Sequence, residues 1–131
     1  WTRPDIKRIL DFLVERQAEA GDGGNFKPKT FRAAAVAVNL IHTKGSPKSY
    51  KSCQQKYTGL RKEWLIVDNI KDTSGYPWDN KKGVKVTAAM RGTWTEFAKV
   101  HKGAARFEGM GWPYYDLMAP LMPSNAKGSN V

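Results

Sequence analysis

Lysine and glutamine side chains recur between residues 44 and 62 at spacings that place several of them on one face of a helix. No acidic residue lies in this stretch. Its basic residues are Lys44, Lys48, Lys51, Lys56, Arg61 and Lys62. Apolar residues recur at steps of four and three and mark the opposite, buried face. These apolar residues are Cys53, Tyr57, Leu60, Trp64 and Val67. Such a helix has the chemistry to enter the major groove of DNA.

We predict a contact face on this helix that would bind DNA. It consists of Lys48, Ser49, Lys51, Ser52, Gln54, Gln55, Lys56, Thr58, Gly59 and Lys62. The amide of Gln54 or Gln55 can pair with N6 and N7 of adenine, which is worth about 1–3 kcal/mol of discrimination. Thr58 can offer its hydroxyl to a base edge or a phosphate. The lysines suit phosphates, which fix the register without reading sequence. A solvated, lysine-rich helix surface is the alternative interpretation.

Gly59 has two possible explanations within this face. It can remove bulk where the helix approaches the wall of the groove. Alternatively, it is a glycine tolerated inside a helix at a cost of about 1 kcal/mol.

The composition favours a soluble globular domain with a polyanionic partner. The chain has 131 residues, 40% of them hydrophobic and 26% charged, which fits one domain with its own core. Its net charge of +10 favours binding to a polyanion through counterion release. A single cysteine, Cys53, excludes an internal disulfide.

No pattern in the sequence indicates catalysis or a cofactor. The two histidines, His42 and His101, lie in no nucleophile or metal-binding motif, and a structural zinc site usually needs four nitrogen or sulfur ligands. We therefore expect no enzyme, no catalytic residue, no metal and no cofactor. No apolar run approaches the ~20 residues of a membrane span, so a membrane partner is not expected either.

The first helix should begin directly after Thr2. Thr2 as N-cap with Asp5 three residues later resembles a capping box, and Trp1 with Ile6 occupies the positions of a hydrophobic staple. The glycines of residues 21–24 are expected to end the element.

The second and third helices are predicted to form a helix-turn-helix. The second should run from residue 28 or 30 to about residue 43. Its apolar face should consist of Phe31, Ala34, Ala35, Val38 and Ile41. The short turn at residues 44–47 then leads into the third helix, from residue 48 or 49 to near residue 72, with Ser49 as a plausible N-cap.

Residues 73–85 are dense in turn residues and should form a loop. Tyr76 and Trp78 in this loop are expected to fold back onto the core. Its three lysines could add contacts to the DNA backbone or belong to a solvated loop. They are Lys81, Lys82 and Lys85.

The C-terminal part has apolar residues at helical spacing, which predicts further helices. No alternating pattern appears along the chain, so no strand is predicted. A fourth helix should span residue 86 or 87 to about residue 101, followed by one turn at residues 104–107 and a last short helix at residues 114–121. We expect one domain over residues 1–122. It comprises a three-helix core over about residues 1–72, the loop 73–85 and a helical extension over residues 86–122, before a flexible tail at residues 123–131.

Short motifs along the chain occur in an order that resembles a known family. They are Trp1, NFKPKTF at 25–31, SYKSCQQKYTGLRKEW at 49–64, SGYPWD at 74–79, WxxF at 94–97, HKGAARF at 101–107 and GWPYYD at 111–116. Together they resemble the Myb/SANT-like DNA-binding domain of plant and fungal proteins, many of them related to Harbinger-type transposons. The resemblance covers residues 1–121.

The resemblance implies a three-helix Myb/SANT-like helix-turn-helix core, extended by one or two C-terminal helices. It implies sequence-specific binding of double-stranded DNA through the third helix in the major groove. It also implies a nuclear transcription regulator or a transposon-derived DNA-binding protein. Tyr57 matches the core-facing aromatic of such recognition helices. Phe31 stands where the family usually has tryptophan, and a glutamine stands where its recognition helix often has asparagine.

A SANT-type protein-interaction module is the alternative to sequence-specific DNA binding. Such a module would bind a chromatin or transposase partner, or a second copy of the chain, through the C-terminal region, and would have only non-specific affinity for DNA. SANT domains that bind basic histone tails tend to have acidic surfaces, and the net charge of +10 argues against that version.

Overall fold

Five α-helices and one two-stranded hairpin make up the part of the chain that this computed structural model describes, residues 1–72 and 76–123. The helices are α1 (Arg3–Glu15), α2 (Pro28–Asn39), α3 (Tyr50–Asp72), α4 (Arg91–Val100) and α5 (Tyr115–Met118). The hairpin strands are β1 (Trp78–Asp79) and β2 (Gly83–Val84). Short 3-10 turns lie at Gln17–Glu19, Asp22–Gly24, Ala88–Met90, Ala104–Phe107 and Ala119–Leu121. The prediction of an all-α fold is confirmed. The tail predicted for residues 123–131 lies outside the described residues from residue 124 onward.

The chain divides into two compact units, and the boundary falls inside α3. The first unit comprises residues 1–59 and the chain from Asp116 onward, and the second comprises residues 60–115. The domain limits predicted from the sequence, with a single domain over residues 1–122, stay a prediction. No helix within the described residues has the length and apolar character needed to cross a bilayer.

The start of α1 is fixed by the capping box that the sequence predicts. The backbone N–H of Asp5 donates to Thr2 Oγ1 at 3.2 Å, and the backbone N–H of Thr2 donates to Asp5 Oδ2 at 3.2 Å. The helix ends at Glu15, well before the glycines that were expected to end it. Residues 15–19 are all exposed, so no apolar face holds a further helical turn there.

The core of the first unit forms where α2 packs against α1. The buried apolar side chains on these two helices are Ile6, Ile9, Leu10, Phe12, Leu13, Phe31, Ala34, Ala35, Ala37 and Val38. The helix α2 ends at Asn39, and the next two backbone N–H groups bond back to Val36 and Val38. Leu40 and Ile41 are therefore exposed, and the prediction of a helix to residue 43 with Ile41 on its buried face was wrong.

The helix α3 agrees with its prediction at both ends. Ser49 acts as N-cap, since its Oγ accepts the backbone N–H of Ser52 at 3.1 Å, and the helix runs to Asp72. The predicted apolar seam is buried along its whole length. Its members Cys53, Tyr57, Leu60, Trp64 and Val67 are all at most 8% exposed.

The second unit is built around aromatic side chains. The ring centroid of Tyr76 lies 5.2 Å from those of both Trp94 and Phe97 on α4. Trp64 stacks on Tyr115 with centroids 4.8 Å apart, and its Nε1 donates to the carbonyl of Tyr115 at 3.0 Å. The prediction that Tyr76 folds back onto the core is confirmed.

A small hairpin occupies the segment that was predicted to be only a loop. Trp78 pairs with Val84 and Asp79 with Gly83 in antiparallel register. The prediction that no strand is present was wrong here, because strands of two residues are too short to show an alternating pattern. Trp78, the second predicted anchor, is half-buried with its ring 5.7 Å from that of Phe107.

Candidate nucleic-acid interface

None of the residues of the predicted contact face is buried. The exposed members are Ser49, Lys51, Gln54, Gln55, Thr58 and Lys62, and the partly exposed ones are Lys48, Ser52, Lys56 and Gly59. At 100° per residue, Lys51, Gln55 and Thr58 lie opposite the buried Cys53 and Tyr57. All members but Lys62 belong to the first unit, and Lys62 lies further along α3 in the second.

An aromatic cluster fixes the rotation of α3 about its own axis. The ring centroid of Tyr57 lies 5.7 Å from that of Phe26 and 5.9 Å from that of Phe31. The Tyr57 hydroxyl also donates to the carbonyl of Gly24 at 3.0 Å. Tyr57 is 3% exposed, so its predicted inward orientation is confirmed. Because these contacts hold one side of the helix inward, the opposite side faces solvent.

Asn39 fixes the backbone just before α3, a role that the sequence did not indicate. Its Nδ2 donates to the carbonyl of Lys48 at 2.9 Å, and its Oδ1 accepts the backbone N–H of Lys48 at 2.8 Å. The Lys48 Nζ also lies 5.1 Å from the centroid of the Trp1 ring, a cation–π contact. The end of α2 and the start of the chain therefore both position the first lysine of the contact face.

His42 holds the turn between α2 and α3, and the sequence did not indicate this role either. Its Nδ1 lies 2.9 Å from Asp5 Oδ2, and its Nε2 lies 3.3 Å from the carbonyl oxygen of Gly45. Because a carboxylate and a carbonyl only accept, both contacts are hydrogen bonds only when each ring nitrogen has a proton. The pair is 37 residues apart in sequence, so no local motif marks it.

Asp5 retains its charge in this buried position. Burial by itself raises its pKa, but hydrogen bonds from His42 and from Thr2 outweigh burial and bring the pKa below its ordinary value of 3.8. The side chains of His42 and Asp5 are only 6% and 1% exposed. The turn is thus held at the N-terminus of α1 by a contact between two side chains that are shielded from solvent.

The contact face presents positive charge that the described residues do not neutralise. In the first unit, Asp5 binds His42, Asp11 binds Lys7 and Glu19 binds Arg16. Within residues 1–72 and 76–123, no carboxylate pairs with Lys48, Lys51, Lys56 or Lys62. The first acidic residue after the face, Glu63, is bound to Arg106 at 2.6 Å.

The polar groups of the face differ in their availability to a ligand. The Thr58 hydroxyl donates to the carbonyl of Gln54 at 3.0 Å, so its methyl group and an oxygen lone pair remain for a partner. The side-chain amides of Gln54 and Gln55 have no hydrogen-bond partner among the described residues. A Cβ on Gly59 would meet nothing within 4 Å, so no packing within the described chain requires glycine there.

Cys53 lies away from the contact face. Cys53 lies fully buried on the opposite side of α3, and burial raises the pKa of its thiol to about 11, with the charge of Lys48 opposing the shift. No group of three or more His, Cys, Asp or Glu residues in the described part of the chain is arranged to hold a metal ion.

Comparison with protein families gives one match. A family model described as Myb/SANT-like DNA-binding domain matches residues 1–97, which include α1, α2 and the whole of α3. Searches of the curated proteins and of the solved structures found no match.

Proposed function

The chain belongs to the Myb/SANT-like DNA-binding domain family, and from this membership we propose that it binds specific sequences of double-stranded DNA by inserting α3 into the major groove. The supporting observation is the contact face itself. Among the described residues, its lysines have no acidic partner, its two amides have no hydrogen-bond partner, and nothing packs against its glycine. The buried Tyr57 directs this face to solvent.

The two kinds of side chain have different tasks in this proposal. The amides of Gln54 and Gln55 read base edges, with adenine as the natural partner of a bidentate amide. Lys48, Lys51 and Lys56 bind phosphates and set the register of the helix in the groove. If five or six phosphates are neutralised, the log–log dependence of affinity on salt has a slope of about −5.

A selection from random duplexes tests this function. We expect enrichment of a defined motif, and no enrichment would reject sequence-specific binding. Gln55→Ala should relax the base preference, because it removes an amide that contacts bases. Lys51→Ala should weaken binding to all duplexes by a similar factor, because it removes only a phosphate contact. Equal effects of both substitutions on the motif would contradict this division.

The family and the charge also support a cellular role. We propose that the chain acts in the nucleus as a transcription regulator or as a DNA-binding protein derived from a transposon, without catalytic activity. In the alternative interpretation, a protein-interaction module, the C-terminal region would be the surface that binds the partner. Trp112, Met118 and Leu121 are at most 4% exposed, so these three side chains are not available to such a patch.

A further inference from the structure

The hairpin of residues 78–84 is a well-supported element rather than a solvated loop. Asp79 Oδ1 accepts the backbone N–H of Lys81 at 2.7 Å and that of Lys82 at 2.9 Å. These two bonds are the main cause that lowers the pKa of Asp79, so the carboxylate stays ionised and keeps the turn closed. Trp78 Nε1 also donates to Asn80 Oδ1 at 2.7 Å.

Two glycines allow the backbone of residues 107–111 to lie in close contact with the hairpin. Gly83 has a φ of +73°, and a Cβ there would overlap the carbonyls of Phe107 and Met110. A Cβ on Gly111 would overlap the carbonyls of Asn80 and Lys81. The close approach is possible only without side chains at these positions, and it packs the hairpin against residues 107–111.

The same backbone segment, residues 107–111, also pairs with β2. Val84 forms a parallel bridge with Glu108, and the backbone N–H of Gly109 donates to the carbonyl of Val84 at 3.0 Å. Val84 itself is fully buried. The hairpin is therefore part of the folded body of the second unit, and its turn is a fixed platform.

Two lysines in the turn of the hairpin and one directly after β2 are exposed. Lys81, Lys82 and Lys85 form no ion pair with any carboxylate in the described part of the chain. No acidic residue occurs between Asp79 and Glu96, and Glu108, which lies beside β2, is bound by Arg91 at 2.6 Å. With Asp79 counted against the three lysines, residues 79–85 still have a net charge of about +2.

We propose that this hairpin is a second DNA-binding surface, in which Lys81, Lys82 and Lys85 bind phosphates of the duplex held by α3. The proposal rests on the proposed function of α3. Lysine is a flexible point charge that binds phosphate without reading bases, and no amide or arginine accompanies these three side chains at the turn except Asn80, whose Oδ1 is bound to Trp78. The hairpin thus adds affinity and salt dependence, and leaves the base preference to α3.

Covalent connection makes duplex DNA the favoured polyanion for this surface. The hairpin and α3 belong to the same chain, so binding of a duplex by α3 makes contacts of the hairpin with that duplex intramolecular. A fixed platform also loses little conformational entropy when its lysines meet phosphates. Both considerations favour the duplex over an unconnected acidic protein.

The test compares two triple variants that remove the same charge. One replaces the hairpin lysines, Lys81→Gln, Lys82→Gln and Lys85→Gln. The matched control replaces exposed lysines on other elements of the same unit, Lys71→Gln, Lys99→Gln and Lys102→Gln. Affinity for the selected duplex is measured across a salt series by fluorescence anisotropy, and circular dichroism confirms that both variants are folded.

We expect the hairpin variant to reduce the magnitude of the log–log salt slope by about 2–3 and to weaken binding roughly 100-fold at about 0.15 M salt, since each lost phosphate contact contributes about 0.9 to the slope. The control variant should change the slope by less than about 1. Both variants should select the same motif as the wild type. In the wild type, the duplex should protect Lys81, Lys82 and Lys85 from acetylation, and Lys99 should stay reactive.

An unchanged slope in the hairpin variant, or an equal loss in both variants, would overturn the hairpin proposal and leave the function of α3 standing. If the wild type selects no motif but the hairpin variant still lowers the slope, sequence-specific reading by α3 fails and the hairpin stands as a phosphate contact. Binding of poly-glutamate that depends on the hairpin lysines, together with an unchanged slope on DNA, would assign the surface to an acidic protein and overturn the proposal.

Discussion

The two basic surfaces of this chain differ in composition and in how they are supported. The contact face on α3 mixes lysines with glutamine amides, a hydroxyl and a glycine, whereas the basic side chains of the hairpin region are lysines alone. The backbone before α3 is held by polar side chains, Asn39 and His42. The hairpin is held by closely packed glycines and a capped turn. In our proposal, α3 therefore combines base reading with phosphate binding, whereas the hairpin binds phosphates only.

The largest expected effect on stability comes from disrupting the close backbone packing at the hairpin. Gly83→Ala should destabilise the second unit by about 3 kcal/mol or more, because it combines a positive φ with an overlap with two carbonyl groups. Urea unfolding measures the loss. Gly109→Ala is the matched control, since Gly109 has a φ of +71° but nothing within 4 Å of a new Cβ.

The control should cost only the strain of the positive φ, about 1 kcal/mol. Equal losses of unfolding free energy in the two variants would show that close packing at Gly83 does not support the hairpin. The proposed difference between the support of the hairpin and the support of α3 would then be wrong.

A smaller effect is expected from removing the polar support of α3. Asn39→Ala should destabilise the first unit by about 2 kcal/mol, because the backbone N–H and carbonyl of Lys48 both lose their partner. It should also reduce discrimination between the selected duplex and a mismatched one, measured well below the melting temperature. Thr43→Ala, an exposed change in the same turn, should leave stability and discrimination unchanged.

Asn39→Asp refines this prediction, because aspartate can still accept the N–H of Lys48 but cannot donate to its carbonyl. An intermediate loss is expected. A variant Asn39→Ala that loses stability but retains full discrimination would show that Asn39 supports the fold without positioning the contact face.

The smallest expected effect has opposite signs for stability and for binding. Gly59→Ala should stabilise the folded chain by up to about 1 kcal/mol, since alanine favours a helix and its Cβ meets nothing within 4 Å. Binding to the selected duplex should weaken, because the same Cβ adds bulk to the surface that faces the groove. Gly92→Ala, in open space on α4, is the control.

The control should gain stability without any change in DNA affinity. If Gly59→Ala binds DNA as tightly as the wild type, this glycine is only a tolerated helix residue, and the groove wall does not approach it.

Features that depend on neighbours within about four residues were predictable from the sequence. Thr2 with Asp5 and Ser49 with Ser52 form the predicted caps, and the apolar spacing of α3 correctly places Tyr57 inside. The same spacing places Lys51 and Gln55 outside, where they are exposed. The binding role of the contact face stays a proposal, since exposure is necessary for it but not sufficient.

Features that depend on distant residues were not predictable. The apolar pattern of α2 continues through Leu40 and Ile41, so it does not show that the chain leaves the helix after Asn39. The Asp5–His42 pair joins residues 37 positions apart, and nothing local to either residue marks the partner. The hairpin depends on glycines that meet carbonyls elsewhere in the chain, which leaves no periodic signal.

The buried thiol of Cys53 offers an internal measure of how often the first unit opens. Burial shields this thiol and raises its pKa to about 11, so an alkylating reagent reacts mainly with transiently opened molecules. The chain has a single cysteine, and no other thiol contributes to the rate. If a duplex binds only the folded form, the labelling rate should fall to the fraction of molecules that remain unbound. The alkylation of Cys53, which lies on the buried side of α3, would then measure binding at the opposite side of the helix.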